Sequence, residues 1–163
     1  MKNDFIDFDV NGIEKLEKEF KNLDQKVGTK LIKKANRAGA KILLKEMKAR
    51  VPVGTGTLKK SLGILVGKMK GKGSRLKVGA RRGKNQKHDG FHAHFIEFGT
   101  VAHFIKKKGE GVLSIFGKVF GKEIEHPGSK AKPFMRPAAD AKASEVVQAI
   151  GKELGKLIED QYK

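Results

Sequence analysis

The chain has 163 residues, of which 36 are basic and 18 acidic, so its formal net charge at pH 7 is +18. This length suits one domain with a modest core. The sequence contains no cysteine, which excludes disulfides, thiolate metal ligands and a thiol nucleophile. No apolar run approaches the ~20 residues of a membrane helix, and the first ten residues do not resemble a signal peptide. We therefore expect a single domain over residues 1–163, made in a reducing cytoplasm and not attached to a membrane.

The basic residues are dominated by lysine, with 30 Lys and six Arg. Arg suits bidentate recognition of bases and phosphates, whereas Lys is a flexible point charge. The composition therefore favours nonspecific attraction to polyanions, or simple solvation, over the reading of a base sequence.

The N-terminal third is predicted to be helical. We assign residues 1–11 to an arm and residues 12–50 to a helical part. In this part, residues 12–23 have apolar side chains at helical spacing, and the segment from Gln25 to Arg50 is the stronger helix. Pro52 ends it, because the residue before a proline disfavours the helical conformation. The predicted apolar stripe consists of Val27, Leu31, Ala35, Ala38, Ile42 and Ala49, and the small residues Ala35, Ala38 and Ala40 are expected to permit a close approach.

Residues 51–137 are predicted to be an antiparallel sheet with basic loops. Gly54 and Gly56 indicate a tight turn, after which Thr57 is a candidate helix cap. Strands are expected at 61–67, at 75–80 and within 112–125, where Gly117 and Gly121 mark turns or bulges. The segment 91–100 is aromatic-rich and expected to be half-buried. The solvated loops are 67–73, 81–90 and 106–111.

The last helix is predicted over residues 138–163, with Val146, Ile150, Leu154 and Leu157 on its apolar face. Three of the four prolines precede it and indicate irregular chain. The order helix, helix, strands, helix predicts an α+β fold, in which a small antiparallel sheet packs against N-terminal helices and a C-terminal helix, with long basic loops.

Three phrases occur in order along the chain: PVGTGTLKKS at 52–61, HFIEFGT at 94–100, and HPG at 126–128 followed by KPFMRPA at 132–138. Together they resemble the tail-component family of long-tailed bacteriophages, also described as neck, head–tail joining or tail-completion proteins. The resemblance covers roughly residues 10 to 160. It implies a structural subunit without catalysis or cofactor, located at the head–tail junction of the virion after assembly in the bacterial host cytoplasm. The unusual basicity of the loops departs from the family pattern.

The resemblance implies that copies of the chain form a ring between the head connector and the tail tube. The expected partners are the chain itself, the head-connector protein and a tail-tube or tail-terminator protein. An isolated monomer would be kept soluble by its charge. Glycines at 54, 56, 99 and 128 suit positive φ or a close backbone approach, while Pro133 and Pro137 would hold their stretch extended. The framework or interface candidates are Thr55, Gly56, Leu58, Ser61, Glu97, Phe98, Gly99, Thr100, Pro133, Phe134, Met135, Arg136 and Pro137, with Phe134 and Met135 as apolar anchors of the last helix.

Glu97 lies among apolar residues, so we expect its carboxylate to be partly buried and paired with Arg136 or a lysine, within or between subunits. His92, His94 and His103 are its neighbours in the sequence. If 91–100 were a strand, His-x-His would point both rings to one face, a geometry that can bind zinc, with Glu97 as a candidate base. The absence of cysteine and of HExxH spacing favours the alternative, in which these rings border an aromatic patch or a subunit contact. We predict no metal site and no enzyme.

The basic loops are candidates for contact with a partner protein or with passing DNA. We favour protein, because charge runs are usually solvated loops that order on contact with a partner. The alternative function is that of a nonspecific nucleic-acid-binding basic protein; the low aromatic content of 7% leaves it few stacking platforms. The loop residues concerned are Lys68, Lys70, Lys72, Arg81, Arg82, Lys84, Lys87, Lys106, Lys107 and Lys108.

Overall fold

The structure, a computed structural model, describes residues 25–67, 74–83, 89–107, 109, 111–115, 117–119 and 121–160. The predicted arm, the predicted helix 12–23 and much of the basic loops lie outside these residues. The chain divides into two compact units. We call Met1–Ala93 with Phe134–Lys163 the helical unit, and His94–Pro133 the inserted unit.

The described elements confirm the α+β fold class. All strand pairing is antiparallel, and the strands are divided among three two-stranded sheets, β1–β2, β3–β6 and β4–β5. No helix in the described part of the chain is long and apolar enough to cross a membrane. The elements, in order, are α1 (Gln25–Arg50), α2 (Thr57–Ser61), β1 (Leu62–Gly67), β2 (Arg75–Ala80), α3 (Ala93–Phe98), β3 (His103–Lys106), β4 (Ser114–Ile115), β5 (Lys118–Val119), β6 (Glu123–His126) and α4 (Met135–Glu159).

The core of the helical unit includes the contact between α1 and α4, the most extensive between any two elements. Buried positions recur every fourth residue, which places them on one stripe of each helix. The two helices pack closely at Gly39, where an added Cβ would lie 2.7 Å from Ile150 Cγ1. The predicted stripe was wrong at Ala49, which is exposed. The observed stripes are Leu31, Ala35, Gly39, Leu43 and Met47 on α1, and Val146, Ile150 and Leu154 on α4.

Helix α1 has the predicted bounds. Its last turn is continued by one hydrogen bond, from the amide of the buried Val51 to the Met47 carbonyl at 2.9 Å. The next residue is Pro52, which lacks the amide needed to extend the helix. The sequence therefore sets this end of the helix locally.

Helix α4 begins at Met135, three residues before the predicted Ala138. The prediction that Pro137 keeps the chain extended is wrong, because Pro137 lies within the first turn. Amides in the first turn have no partner within the helix, so a proline there removes no hydrogen bond. Phe134 and Met135 are both buried at this end, and their role as anchors stays a prediction.

Candidate assembly surface

The first sequence phrase forms a turn that leads into α2. Gly56 precedes the helix with φ of 77°, in the left-handed region that an L side chain rarely adopts. The Thr55 hydroxyl lies 3.0 Å from that of Thr57 and accepts a long hydrogen bond of 3.5 Å from the Thr57 amide. Thr57 is thus the first residue of α2 and not its cap. Gly54 has neither the positive φ nor the close approach predicted for it, since an added Cβ would meet nothing within 4 Å.

The same phrase ends at Ser61, which is fully buried. Its hydroxyl donates to the Leu58 carbonyl at 2.7 Å. Its own carbonyl accepts two hydrogen bonds of 3.0 Å from Arg81, one from the backbone amide and one from Nε. A third bond runs from Arg81 Nη2 to the Lys60 carbonyl at 3.3 Å. The guanidinium therefore fastens the end of α2 to the residue that follows β2.

Two glycines make room for this junction. A Cβ on Gly63 would lie 2.6 Å from Arg81 Nε, and one on Gly90 would lie 2.7 Å from the Ser61 hydroxyl. The Gly90 amide also donates to the Arg81 carbonyl at 2.9 Å. These roles of Gly63, Gly90 and Arg81 are not evident from the sequence, because they depend on residues far apart in the chain.

The second and third phrases meet in the inserted unit. Thr100 and Ser129 exchange backbone hydrogen bonds of 2.9 and 3.0 Å, and their hydroxyls lie 3.1 Å apart. The Lys132 amide donates to the Ile96 carbonyl at 2.7 Å. The segment between Thr100 and Ser129 is therefore closed at its base, and we call this pairing the base bridge.

Both glycines at the base bridge have positive φ, as predicted, with values of 74° for Gly99 and 80° for Gly128. A Cβ on Gly99 would lie 2.6 Å from the Ser129 carbonyl oxygen, and one on Gly128 would collide with the Thr100 carbonyl oxygen. Both positions thus require glycine for its conformation and for its small size.

Beyond the base bridge, β3 and β6 pair in register, with Phe104 opposite Glu125 and Lys106 opposite Glu123. Directly opposed residues share a face of the sheet, so these four side chains lie on one side. Lys106 Nζ is 3.2 Å from Glu123 Oε1. Phe104 stays 60% exposed.

The other face of β3–β6 carries a histidine pair. The His103 and His126 rings stack with centroids 5.0 Å apart. His103 Nδ1 donates to the Val101 carbonyl, while His126 Nδ1 accepts from the Gly128 amide, each at 3.0 Å. Each ring is thus bonded to the backbone beside the base bridge.

The strand that would align His92 with His94 is absent: His92 lies in a turn and His94 in α3. His94 packs instead against Phe95, with ring centroids 3.8 Å apart. Within the described residues, no group of three or more His, Asp or Glu residues is placed to hold a metal ion.

Glu97 is buried, as its apolar neighbours predicted. In the described chain, no buried side-chain polar atom lacks a hydrogen-bond partner. The specific pairing of Glu97 with Arg136 or a lysine stays a prediction.

The inserted unit exposes six of its large apolar side chains to solvent. Among its described residues the one buried side chain is that of Glu97. A large contiguous apolar patch is typical of a surface that binds a partner. The exposed residues are Phe95, Phe98, Val101, Phe104, Val112 and Val119, and we call them the apolar set.

The described residues of the basic loops have different environments. Arg81 is bonded to two carbonyl groups and Lys106 is paired with Glu123, whereas Arg82 is exposed and its guanidinium carbon lies 4.9 Å from the Phe91 ring centroid. Lys107 is also exposed. Lys68, Lys70, Lys72, Lys84, Lys87 and Lys108 lie outside the described residues.

A small α+β chain with an uncovered apolar set has the character of a subunit of an assembly. Residues 14–99 match the model of the family described as "Bacteriophage HK97-gp10, putative tail-component". The match spans more than half of the chain and includes the first phrase and most of the second. The chain belongs to this family and is a structural protein of a bacteriophage virion. The third phrase lies beyond the matched residues. No curated protein and no solved structure matches the chain.

Proposed function

We propose that the chain is a tail-completion or head–tail joining subunit that assembles into a ring at the head–tail junction of the virion. Its mechanism is assembly and not catalysis. The observation that carries the proposal is the apolar set, which six residues of the inserted unit present to solvent. Family membership supports a role among virion proteins.

The apolar set supports self-assembly on energetic grounds. Phe98 and Phe104 are each 60% exposed. Removing apolar surface from water contributes about 25 cal/mol per Å², and aromatic side chains are the most frequent anchors of protein interfaces. A neighbouring subunit that covered these rings would supply the burial that the inserted unit lacks on its own.

The backbone of the inserted unit is suited to presenting such a surface. The base bridge and the β3–β6 pairing hold the chain by backbone hydrogen bonds, so the side chains of the apolar set are not required for its shape. We infer that the ring contact uses the apolar set, and that the head connector and a tail-tube or tail-terminator protein bind the two faces of the ring.

The proposal is tested by light scattering with size separation over a range of protein concentrations. The native chain is expected to show ring-sized species as the concentration rises. The double variant Phe98→Ser with Phe104→Ser is expected to stay monomeric. The matched control, Val53→Ser with Val147→Ser, removes two exposed apolar side chains from the helical unit and is expected to assemble normally.

The same variants test the location of the subunit in the phage. Electron microscopy of lysates is expected to show separate heads and tails when the inserted-unit variant is the sole copy, and joined particles with the control. Joined particles of normal appearance from the inserted-unit variant would contradict the proposal.

A further inference from the structure

The outward face of α1 is a continuous line of positive charge. At 3.6 residues per turn, seven basic residues fall within an arc of about 120°, opposite the buried stripe. The line spans 19 residues, whose 18 steps of 1.5 Å give about 27 Å. Of these seven basic side chains, six are exposed and one, Lys48, is half-buried. We call the set the basic ridge; it consists of Lys30, Lys33, Lys34, Arg37, Lys41, Lys45 and Lys48.

The ridge is not neutralised by the described part of the chain. Glu46 is the one acidic residue of α1, and it is bound to Arg50 at 2.7 Å. No ridge residue forms an ion pair with a described acidic group. Like charges three or four residues apart destabilise a helix, by roughly 0.2–0.5 kcal/mol per pair. The ridge therefore lowers the stability of α1 unless an anionic group outside the described residues faces it.

The helix packed against α1 does not share this charge. Along α4 there are four basic and four acidic residues, so its net charge is zero. From residue 30 to residue 50, α1 has eight basic residues and one acidic residue. Solubility alone would be served as well by charges spread over both helices.

The ridge also lacks the features of a protein-binding surface. None of the exposed large apolar residues of the described chain lies on α1, whereas protein interfaces usually have an apolar centre. Six of its seven cations are Lys, which suits contact with phosphates without the reading of bases. Phosphates follow one another every 3.4 Å of axis along a strand of B-DNA, so 27 Å corresponds to about eight base pairs.

We propose that the basic ridge of α1 binds the phosphate backbone of duplex DNA without base specificity. This contact is made by a helix, and it differs from the contact predicted for the basic loops. It does not rest on the ring: a chain that never assembled would still bind duplex through α1.

The test is fluorescence anisotropy of a labelled 20-base-pair duplex of arbitrary sequence, titrated with the full chain at several salt concentrations. The triple variant K33Q/R37Q/K41Q is compared with the control K118Q/K152Q/K156Q. Both remove three exposed positive charges, so their net charges are equal while their positions differ. Gln has nearly the helix propensity of Lys and Arg, and far-UV circular dichroism confirms folding.

The native chain is expected to bind, with affinity falling steeply as salt rises. The ridge variant is expected to bind at least tenfold more weakly at low salt. Its slope of log K against log salt is expected to flatten by up to about 2.7, or about 0.9 for each phosphate that the variant no longer neutralises. The control is expected to stay within about threefold of the native affinity, since scattered surface charges act weakly at a distance. Equal weakening in the two variants, or no binding by the native chain at low salt, would overturn the proposal.

A competitor separates duplex from an acidic protein as the partner. Polyglutamate, added at the same charge concentration as unlabelled duplex, is expected to displace much less of the labelled probe. Equal displacement would assign the ridge to an acidic protein surface and overturn the proposal.

A second measurement avoids substitution altogether. Brief lysine acetylation followed by mass spectrometry is expected to show that duplex protects Lys33, Lys41 and Lys45 but not Lys152 and Lys156. Uniform protection, or protection confined to lysines outside α1, would contradict the assignment.

Discussion

The two units of this chain use apolar residues in opposite ways. Every buried apolar residue of the described chain belongs to the helical unit. The described residues of the inserted unit bury the Glu97 side chain and leave the apolar set exposed. One unit is thus shaped by burial of side chains, and the other by backbone hydrogen bonds at the base bridge and between β3 and β6.

The same kind of substitution should therefore affect stability differently in the two units. In the helical unit, an apolar side chain contributes to the free energy of unfolding. In the inserted unit, a side chain of the apolar set contributes little until a partner covers it, while a glycine that permits the backbone pairing contributes directly. Matched substitutions in the two units test this difference.

The largest effect is expected when one phenylalanine in each unit is replaced by alanine and the two variants are compared. Phe134 is fully buried, whereas Phe104 is 60% exposed. Phe134→Ala should lower the free energy of unfolding by about 3–5 kcal/mol, because it removes a packed ring and leaves a cavity. Phe104→Ala should change it by less than about 0.5 kcal/mol. Urea denaturation of both variants measures the difference. Similar losses of stability would contradict the claim that the two units depend differently on their apolar side chains.

A smaller effect is expected at Gly39, where α1 packs against α4. Gly39→Leu places a side chain against Ile150 and Val146, so it should cost about 1–3 kcal/mol through overpacking. Gly151→Leu on α4 is the control, since a Cβ there meets nothing within 4 Å. The control should be neutral or slightly stabilising, because glycine is a poor helix former. Thermal unfolding distinguishes the two, and a stable Gly39→Leu variant would contradict the close packing.

The smallest effect concerns the base bridge. Gly128 and Gly117 have the same φ of 80°, but a Cβ collides with the Thr100 carbonyl oxygen only at Gly128 and meets nothing within 4 Å at Gly117. Alanine at either position should carry the left-handed penalty of about 1–2 kcal/mol. Gly128→Ala should in addition open the bridge, so that the Thr100 and Ser129 amides exchange hydrogen faster. Amides at the centre of α1 are the internal reference, and equal exchange in both variants would show that the close approach is unimportant.

Several elements were predictable because their signals are local. The bounds of α1 follow from a long periodic segment that meets Pro52, and β2 coincides with the predicted 75–80. Burial of Glu97 followed from its apolar neighbours, and the positive φ of Gly99 and Gly128 from their place in the phrases. In each case the information lies within a few residues of the feature.

The errors have physical causes too. Helix α3 has six residues, too few for a helical period to be distinguished from strand alternation. The early start of α4 was missed because Pro137 is tolerated in a first turn. The requirement for glycine at positions 39, 63 and 90 arises from contacts with residues far along the chain, and no local pattern reports such contacts. The basic ridge, in contrast, was predictable, because helical spacing alone places its lysines on the face opposite the apolar stripe.

The base bridge has a consequence for how such a chain can change over time. Because Thr100 and Ser129 are hydrogen-bonded to each other, the segment of 28 residues between them begins and ends at neighbouring positions. The entropy cost of closing a loop between fixed ends grows only slowly with the length of the loop. This segment can therefore be shortened, lengthened or replaced, provided that Gly99 and Gly128 are kept. Different versions of the segment could adapt one scaffold to different neighbouring proteins.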